Sequence, residues 1–126
     1  MMKNIDMDDI LLFHKKIVRE TGGSKEIRDL GLIDSALNRA SATFDGIDLY
    51  WEIEGKISAI TYGLIKNHGF VDGNKRIGVS VMVLLLKLNN INVKYSQKQL
   101  IELGLKVADG TFSENDIKIW INNKKL

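Results

Sequence analysis

The sequence predicts an all-α protein: a compact single-domain bundle of about six helices over residues 1–126, with a short β flap. Three observations carry that expectation. Apolar residues recur every third or fourth position along most of the chain. Start and stop signals fall at helix-sized intervals. The longest apolar run, Ile77 to Leu86 between Arg76 and Lys87, suits a helix buried on all sides.

The first helix is read from Met7, Ile10, Phe13 and Ile17, with Asp6 as its N-cap and Gly22 and Gly23 as its stop. Leu32, Ile33, Ala36, Leu37 and Ala40 form a second apolar stripe, with Asp29 near its start. Residues 41 to 50 have no helical period and suit a loop or short extended flap. Ile53, Ile57, Ile60 and Leu64 mark a third helix ending near Asn67, and a fourth, central helix follows from about Lys75 to Leu88. Asn89 and Asn90 end it, and Ile91 to Tyr95 is expected as a short strand. Ser96 with Gln99 forms a capping box for a fifth helix, stopped by Gly110; Ser113 with Asp116 opens a sixth, carrying Ile117, Trp120 and Ile121.

Composition narrows the function classes. There is no Cys, so disulfides, thiolate-bound zinc and thiol nucleophiles are excluded. The run of apolar residues is far short of the roughly 20 that a membrane span needs, and the first residues lack the apolar stretch of a signal peptide. A soluble, cytoplasmic protein is therefore expected, with no membrane partner. The net charge of +2 gives no argument for nucleic acid, and no basic recognition face is evident.

One segment breaks the local rules: His68-Gly69-Phe70-Val71-Asp72-Gly73-Asn74-Lys75-Arg76. Two cations, Lys75 and Arg76, stand in the first turn of the central helix. The helix dipole makes cations there unfavourable by roughly a few tenths of a kcal/mol each. A bound polyanion would reverse that sign. Free N–H groups of Gly73, Asn74 and Lys75 could meet phosphate oxygens, Arg76 could clamp them with its planar fork, and Lys75 would add a point charge. Asp72 is a hard oxygen ligand of the kind Mg²⁺ takes together with substrate phosphates. His68 is a side chain able to accept a hydroxyl proton near neutral pH. Each residue also has a plain structural reading: Asp72 as an N-cap, Gly73 and Asn74 as turn residues, Lys75 and Arg76 as solvated charges.

Other polar and aromatic residues are read as structural. His14 is expected at the surface or boundary of the first helix. Arg28 and Asp29 are expected as an ion pair and cap, Trp51 and Trp120 as core or its edge, and Lys124 and Lys125 as a solvated end.

The segment HGFVDGNKR resembles the motif of the Fic/Doc superfamily, and specifically its Doc (death on curing) branch. The Fic branch reads H-x-F-x-(D/E)-G-N-G-R-x-x-R. Here Lys75 stands where Fic has its second Gly, and Val79 where it has its second Arg; both are the Doc pattern. Gly22 to Leu37 resembles the region that Doc-like proteins carry upstream. Gly69 departs from the Pro or aliphatic residue of many members and suggests a looser loop.

The resemblance implies a catalytic set of His68, Asp72, Lys75 and Arg76. His68 would be the general base, Asp72 the Mg²⁺ ligand, and Gly73, Asn74, Lys75 and Arg76 the phosphate-binding residues. ATP, or another nucleoside triphosphate, would be co-substrate. Fic proteins transfer AMP to protein hydroxyls; in Doc the nucleotide is similar to one bound reversed, and the γ-phosphate moves instead. Crowding by Lys75 and loss of the second Arg favour the kinase. The implied protein is the toxin of a toxin–antitoxin pair, a Ser/Thr kinase-like enzyme acting on elongation factor Tu to stop translation. It would be held inactive by an antitoxin whose disordered tail folds on it. An inhibitory (S/T)-x-x-x-E-(G/N) motif is absent in cis, since Ser41 to Gly46 carries Asp45 where Glu is required. The alternatives are an AMP transferase of Fic type and a non-catalytic phosphate-binding module.

Overall fold

The computed structural model describes residues 2–126. Six helices and one small hairpin follow in chain order: α1 (Met7–Thr21), α2 (Leu30–Asn38), a 3₁₀ turn (Arg39–Ser41), β1 (Thr43–Phe44), β2 (Ile47–Asp48), α3 (Ile53–Lys66), α4 (Asn74–Leu88), α5 (Gln97–Ala108) and α6 (Glu114–Lys124). The fold is the all-α bundle that the periodicity predicts.

Local chemistry sets the helix ends. Asp6, Ser96 and Ser113 each accept from the N–H three residues on, and Asp9, Gln99 and Asp116 return the bond, so α1, α5 and α6 all start in capping boxes. Asp29 caps α2 through the Leu32 N–H.

The core is built on α3 and α4, which pack along each other. α3 also meets α2, α5 and α6, while α1 and α5 pack against α4. Ile57, Ile60 and Ile65 of α3 and Ile77, Val81, Met82 and Leu85 of α4 are fully buried. That burial decides where the motif sits: the link between the two most buried helices is held at a fixed place on the surface.

The flap is a two-stranded antiparallel hairpin pairing Thr43 with Asp48 and Phe44 with Ile47. Asp45 and Gly46 both take positive φ (52° and 77°), the conformation a two-residue hairpin turn requires. Phe44 and Ile47 are exposed, as is Trp51 beyond them, at 80%. Trp51 is thus not a core residue: it lies on the solvent side of the chain leaving the flap. Trp120 is half-buried, tilted against Tyr95 at 6.1 Å between ring centres.

Two expectations about the C-terminal region need correction. Residues 91 to 95 form no strand; Val93 makes a single bridge with Lys125, supported by Lys94 N–H to Lys124 O (2.8 Å) and Leu126 N–H to Asn92 O (3.1 Å). The last lysines are also engaged, Lys125 with Glu54 and Lys124 over the Trp120 ring.

Candidate functional site

The residues His68 to Arg76 link α3 to α4. The N-cap of α4 is Gly73, at φ 82° and ψ 13°, a left-handed conformation that glycine adopts without steric cost. No side chain caps α4. Asp72 is therefore not its N-cap, and the plain reading of that residue fails. The first helical bond is Ile77 N–H to Gly73 O (2.8 Å), which leaves the N–H groups of the first turn without intrahelical acceptors.

Asn74 is buried, and its side chain closes the loop on itself. Its Oδ1 accepts from Phe70 N–H (3.1 Å) and its Nδ2 donates to Phe70 O (2.9 Å). Only its backbone N–H thus remains for an anion. Phe70, 2% exposed, pins the loop into the core.

His14 is the residue that sequence reasoning misplaced. It is buried (1% exposed), its ring stacks on Phe70 with centres 3.7 Å apart and planes 12° from parallel, and its Nε2 lies 2.7 Å from Asp72 O, to which it donates. α1 thereby holds the middle of the loop from below. The Phe13-His14 pair lies on a helix whose apolar stripe gives no sign of this partner 58 residues away.

Gly69 makes the loop tighter, not looser. A Cβ there would stand 2.4 Å from Ile33 Cγ1 and 3.3 Å from Asp29 O, so the loop lies against α2 at a distance only glycine permits. Its carbonyl accepts from the N–H groups of Arg28 and Asp29 (both 2.9 Å), and Val71 N–H donates to Glu26 O (3.1 Å). Arg28 donates from Nε to His68 O (2.7 Å) and from Nη2 to Asn67 O (3.3 Å), satisfying carbonyls at the end of α3 instead of pairing with Asp29. The backbone of His68 takes φ 52°, uncommon for a residue with a side chain, and that side chain is exposed.

The charged residues flank the uncapped turn. Asp72 is exposed; its Oδ2 accepts from Ser24 N–H (2.8 Å). Arg76 donates from Nη1 to Thr21 Oγ1. Lys75 is exposed, with its Cβ near Gly104 of α5. The structure thus brings Asp72 and Arg76 to the α1 side of the turn and Lys75 to the α5 side, with His68 exposed at the loop's start. A cavity of about 840 Å³ lined by Lys15, Val18, Arg19, Gly23, Ser24, Lys25 and Glu26 lies at the turn ending α1, whose Gly23 also approaches Asp72 and Arg76.

No cluster of three or more His, Cys, Asp or Glu able to hold a metal occurs among the described residues. A lone exposed carboxylate with one oxygen engaged fits Mg²⁺, which takes one or two carboxylates with substrate phosphates and water; it does not fit an all-protein cage.

At its other end the flap is tied down. Tyr50 and Arg39 both hydrogen-bond Glu114 on α6. Burial, with the bond to Glu114, raises the Tyr50 phenol above its usual range.

An uncapped helix start with an exposed His, an Asp, a Lys and an Arg around it thus lies between the two most buried helices. The Fic/DOC family model matches residues 4–86, and the chain belongs to that family. Its likeness to one curated protein is more specific: it is 38% identical over 72 residues to Toxin Doc of Mycolicibacterium smegmatis, an alignment covering 57% of this chain. The chain spans about half the length of that relative, 55%. Among the described residues no helix is long and apolar enough to cross a membrane.

Proposed function

We propose that the chain is the toxin of a toxin–antitoxin pair and works in the cytoplasm as a protein kinase of Doc type, moving the γ-phosphate of ATP to a hydroxyl of a translation factor. The observation that carries this reading is the uncapped N-terminus of α4 with Asp72, Lys75 and Arg76 around it and His68 exposed beside it. A dipole end with free N–H groups, two cations and a base is a constellation suited to phosphoryl transfer.

The residues divide the work as follows. The N–H groups of Gly73, Asn74 and Lys75 bind the phosphate chain. Arg76 and Lys75 stabilise the charge that develops as it breaks. Asp72 would hold Mg²⁺, which supplies charge neutralisation on the phosphates when bound. His68 takes the proton of the target hydroxyl. That oxygen then bonds to the γ-phosphorus, the bond from the γ-phosphorus to the β–γ bridging oxygen breaks, and ADP leaves. The rigid mounting supports this role: His14, Asn74 and Gly69 fix the loop, so the donors need little reorganisation.

The choice of γ over α phosphate rests on two positions. Lys75 brings bulk and charge where the Fic motif has Gly. Val79, at the second Arg of that motif, is buried with its Cγ1 near Gly104, so no guanidinium is available from that position. Elongation factor Tu is the proposed target, following the Doc branch, and an antitoxin with a disordered tail the proposed partner. The partner would act in trans, since Ser41 to Gly46, the stretch nearest an inhibitory motif, carries Asp45 where that motif requires Glu.

His68→Ala and Arg76→Ala test the assignment. His68→Ala should abolish transfer with the fold and ATP binding kept. Arg76→Ala should slow transfer about 10³-fold, the scale of losing a phosphate clamp. Wild-type rates in either variant would remove that residue from the mechanism.

A further inference from the structure

We propose that the turn ending α1, Thr21 to Ser24, is a bracket that keeps Asp72 and Arg76 from pairing with each other. The proposal rests on the assignment of those two side chains to cation and phosphate given above. Asp72 precedes α4 and Arg76 lies in its first turn, yet both side chains reach the same place: a Cβ on Gly23 would lie 3.6 Å from Asp72 Cγ and 3.6 Å from Arg76 Nη2, so the two opposite charges are near neighbours. A carboxylate and a guanidinium that meet can form a bidentate pair. Such a pair would occupy both groups and leave neither for a ligand. Yet the ion pairs among the described residues are Arg39–Glu114, Lys118–Glu52 and Lys125–Glu54, not this one.

Each charge has instead a neutral partner on the turn. Arg76 Nη1 donates to Thr21 Oγ1, and Ser24 N–H donates to Asp72 Oδ2 at 2.8 Å. The Thr21 hydroxyl spends its own hydrogen on Ile17 O (2.8 Å), which leaves its lone pairs for the guanidinium. Between these two contacts stands Gly23, at φ 102°. A Cβ there would lie 3.3 Å from Asp72 Cβ and 3.6 Å from Arg76 Nη2, so the backbone of the turn touches both side chains. The helix ends where it must for this: Gly22 (φ 86°) donates to Val18 O, and the chain turns back towards the loop. Neutral partners hold the two charges in place and yield to a ligand more readily than an ion pair would. Thr21, Gly23 and Ser24 are thus positioning residues for the site.

Thr21→Val removes the acceptor and keeps the shape at an exposed position. In its crystal structure Arg76 should swing to within 4 Å of Asp72; unchanged separation would overturn the proposal. ATP affinity, measured by calorimetry in EDTA, should fall about tenfold, as loss of a charge-assisted hydrogen bond allows. Thr21→Ser should restore it, and Thr21→Ala should behave like Thr21→Val. In an Asp72→Asn background, where Arg76 has no carboxylate to pair with, Thr21→Val should cost nothing further. An equal loss in both backgrounds would mean that Thr21 acts on binding by another route, and would also overturn it. If the wild-type chain binds no ATP while the variant's crystal shows the new ion pair, the bracket stands and the phosphate assignment of Arg76 falls.

Discussion

Replacing Asn74 by Ala removes both bonds that close the loop. Phe70 N–H loses Oδ1 at 3.1 Å and Phe70 O loses Nδ2 at 2.9 Å, in a residue only 2% exposed. A buried backbone group left without a partner costs about 1–3 kcal/mol. Two such groups, partly relieved by water entering beside the exposed Val71 and Asp72, should cost about 2–4 kcal/mol. At about 2–8 °C per kcal/mol for domains spanning this size, Tm should fall by about 10 °C. The better helix propensity of Ala returns less than about 1 kcal/mol of this. Thermal and urea unfolding followed by circular dichroism measure both quantities. Lys75→Ala, one residue on and exposed, is the control and should stay within about 0.5 kcal/mol. A Tm loss of under about 2 °C for Asn74→Ala would refute the claim that this side chain serves the loop.

Gly69→Ala should destabilise the protein by about 1–3 kcal/mol, because its Cβ meets Ile33 Cγ1 at 2.4 Å; its penalty in urea unfolding should shrink when combined with Ile33→Ala. Glu54 is held below its usual 4.5 by the hydrogen bond from Lys125, so it contributes stability that is present above that value and lost as pH falls through the lowered pKa. Acid titration of Tm should therefore decline less steeply in Lys125→Met; curves of the same slope would exclude this pair as a source of acid sensitivity.

The helices were legible because their signals are local. Asp6, Ser96 and Ser113 announce helix starts three residues ahead of their partners, and the capping boxes form as written. The uncapped start of α4 stood out in the sequence for a related reason: its two cations are a local misfit, one that a bound anion would resolve. What the sequence hid are the contacts that cross the chain. His14 looks like one polar residue after an apolar one, and only the packing of α1 under the loop gives it Phe70 and Asp72 as partners. Gly69 reads as freedom, yet the approach of Ile33 makes it a constraint. Trp51 reads as core by its apolar area, but the hairpin carries the chain outward before it. Residues 91 to 95 have strand-forming side chains, but the chain end beside them supplies only a single bridge.

The most direct test of the proposed activity uses the wild-type protein with Mg²⁺, elongation factor Tu, and ATP labelled separately at the α- and γ-phosphate. Label should pass from the γ-position to the factor, ADP should be released, and His68→Ala should transfer none. Label passing from the α-position with release of pyrophosphate would contradict the account, because it would make the protein an AMP transferase despite Lys75 and Val79.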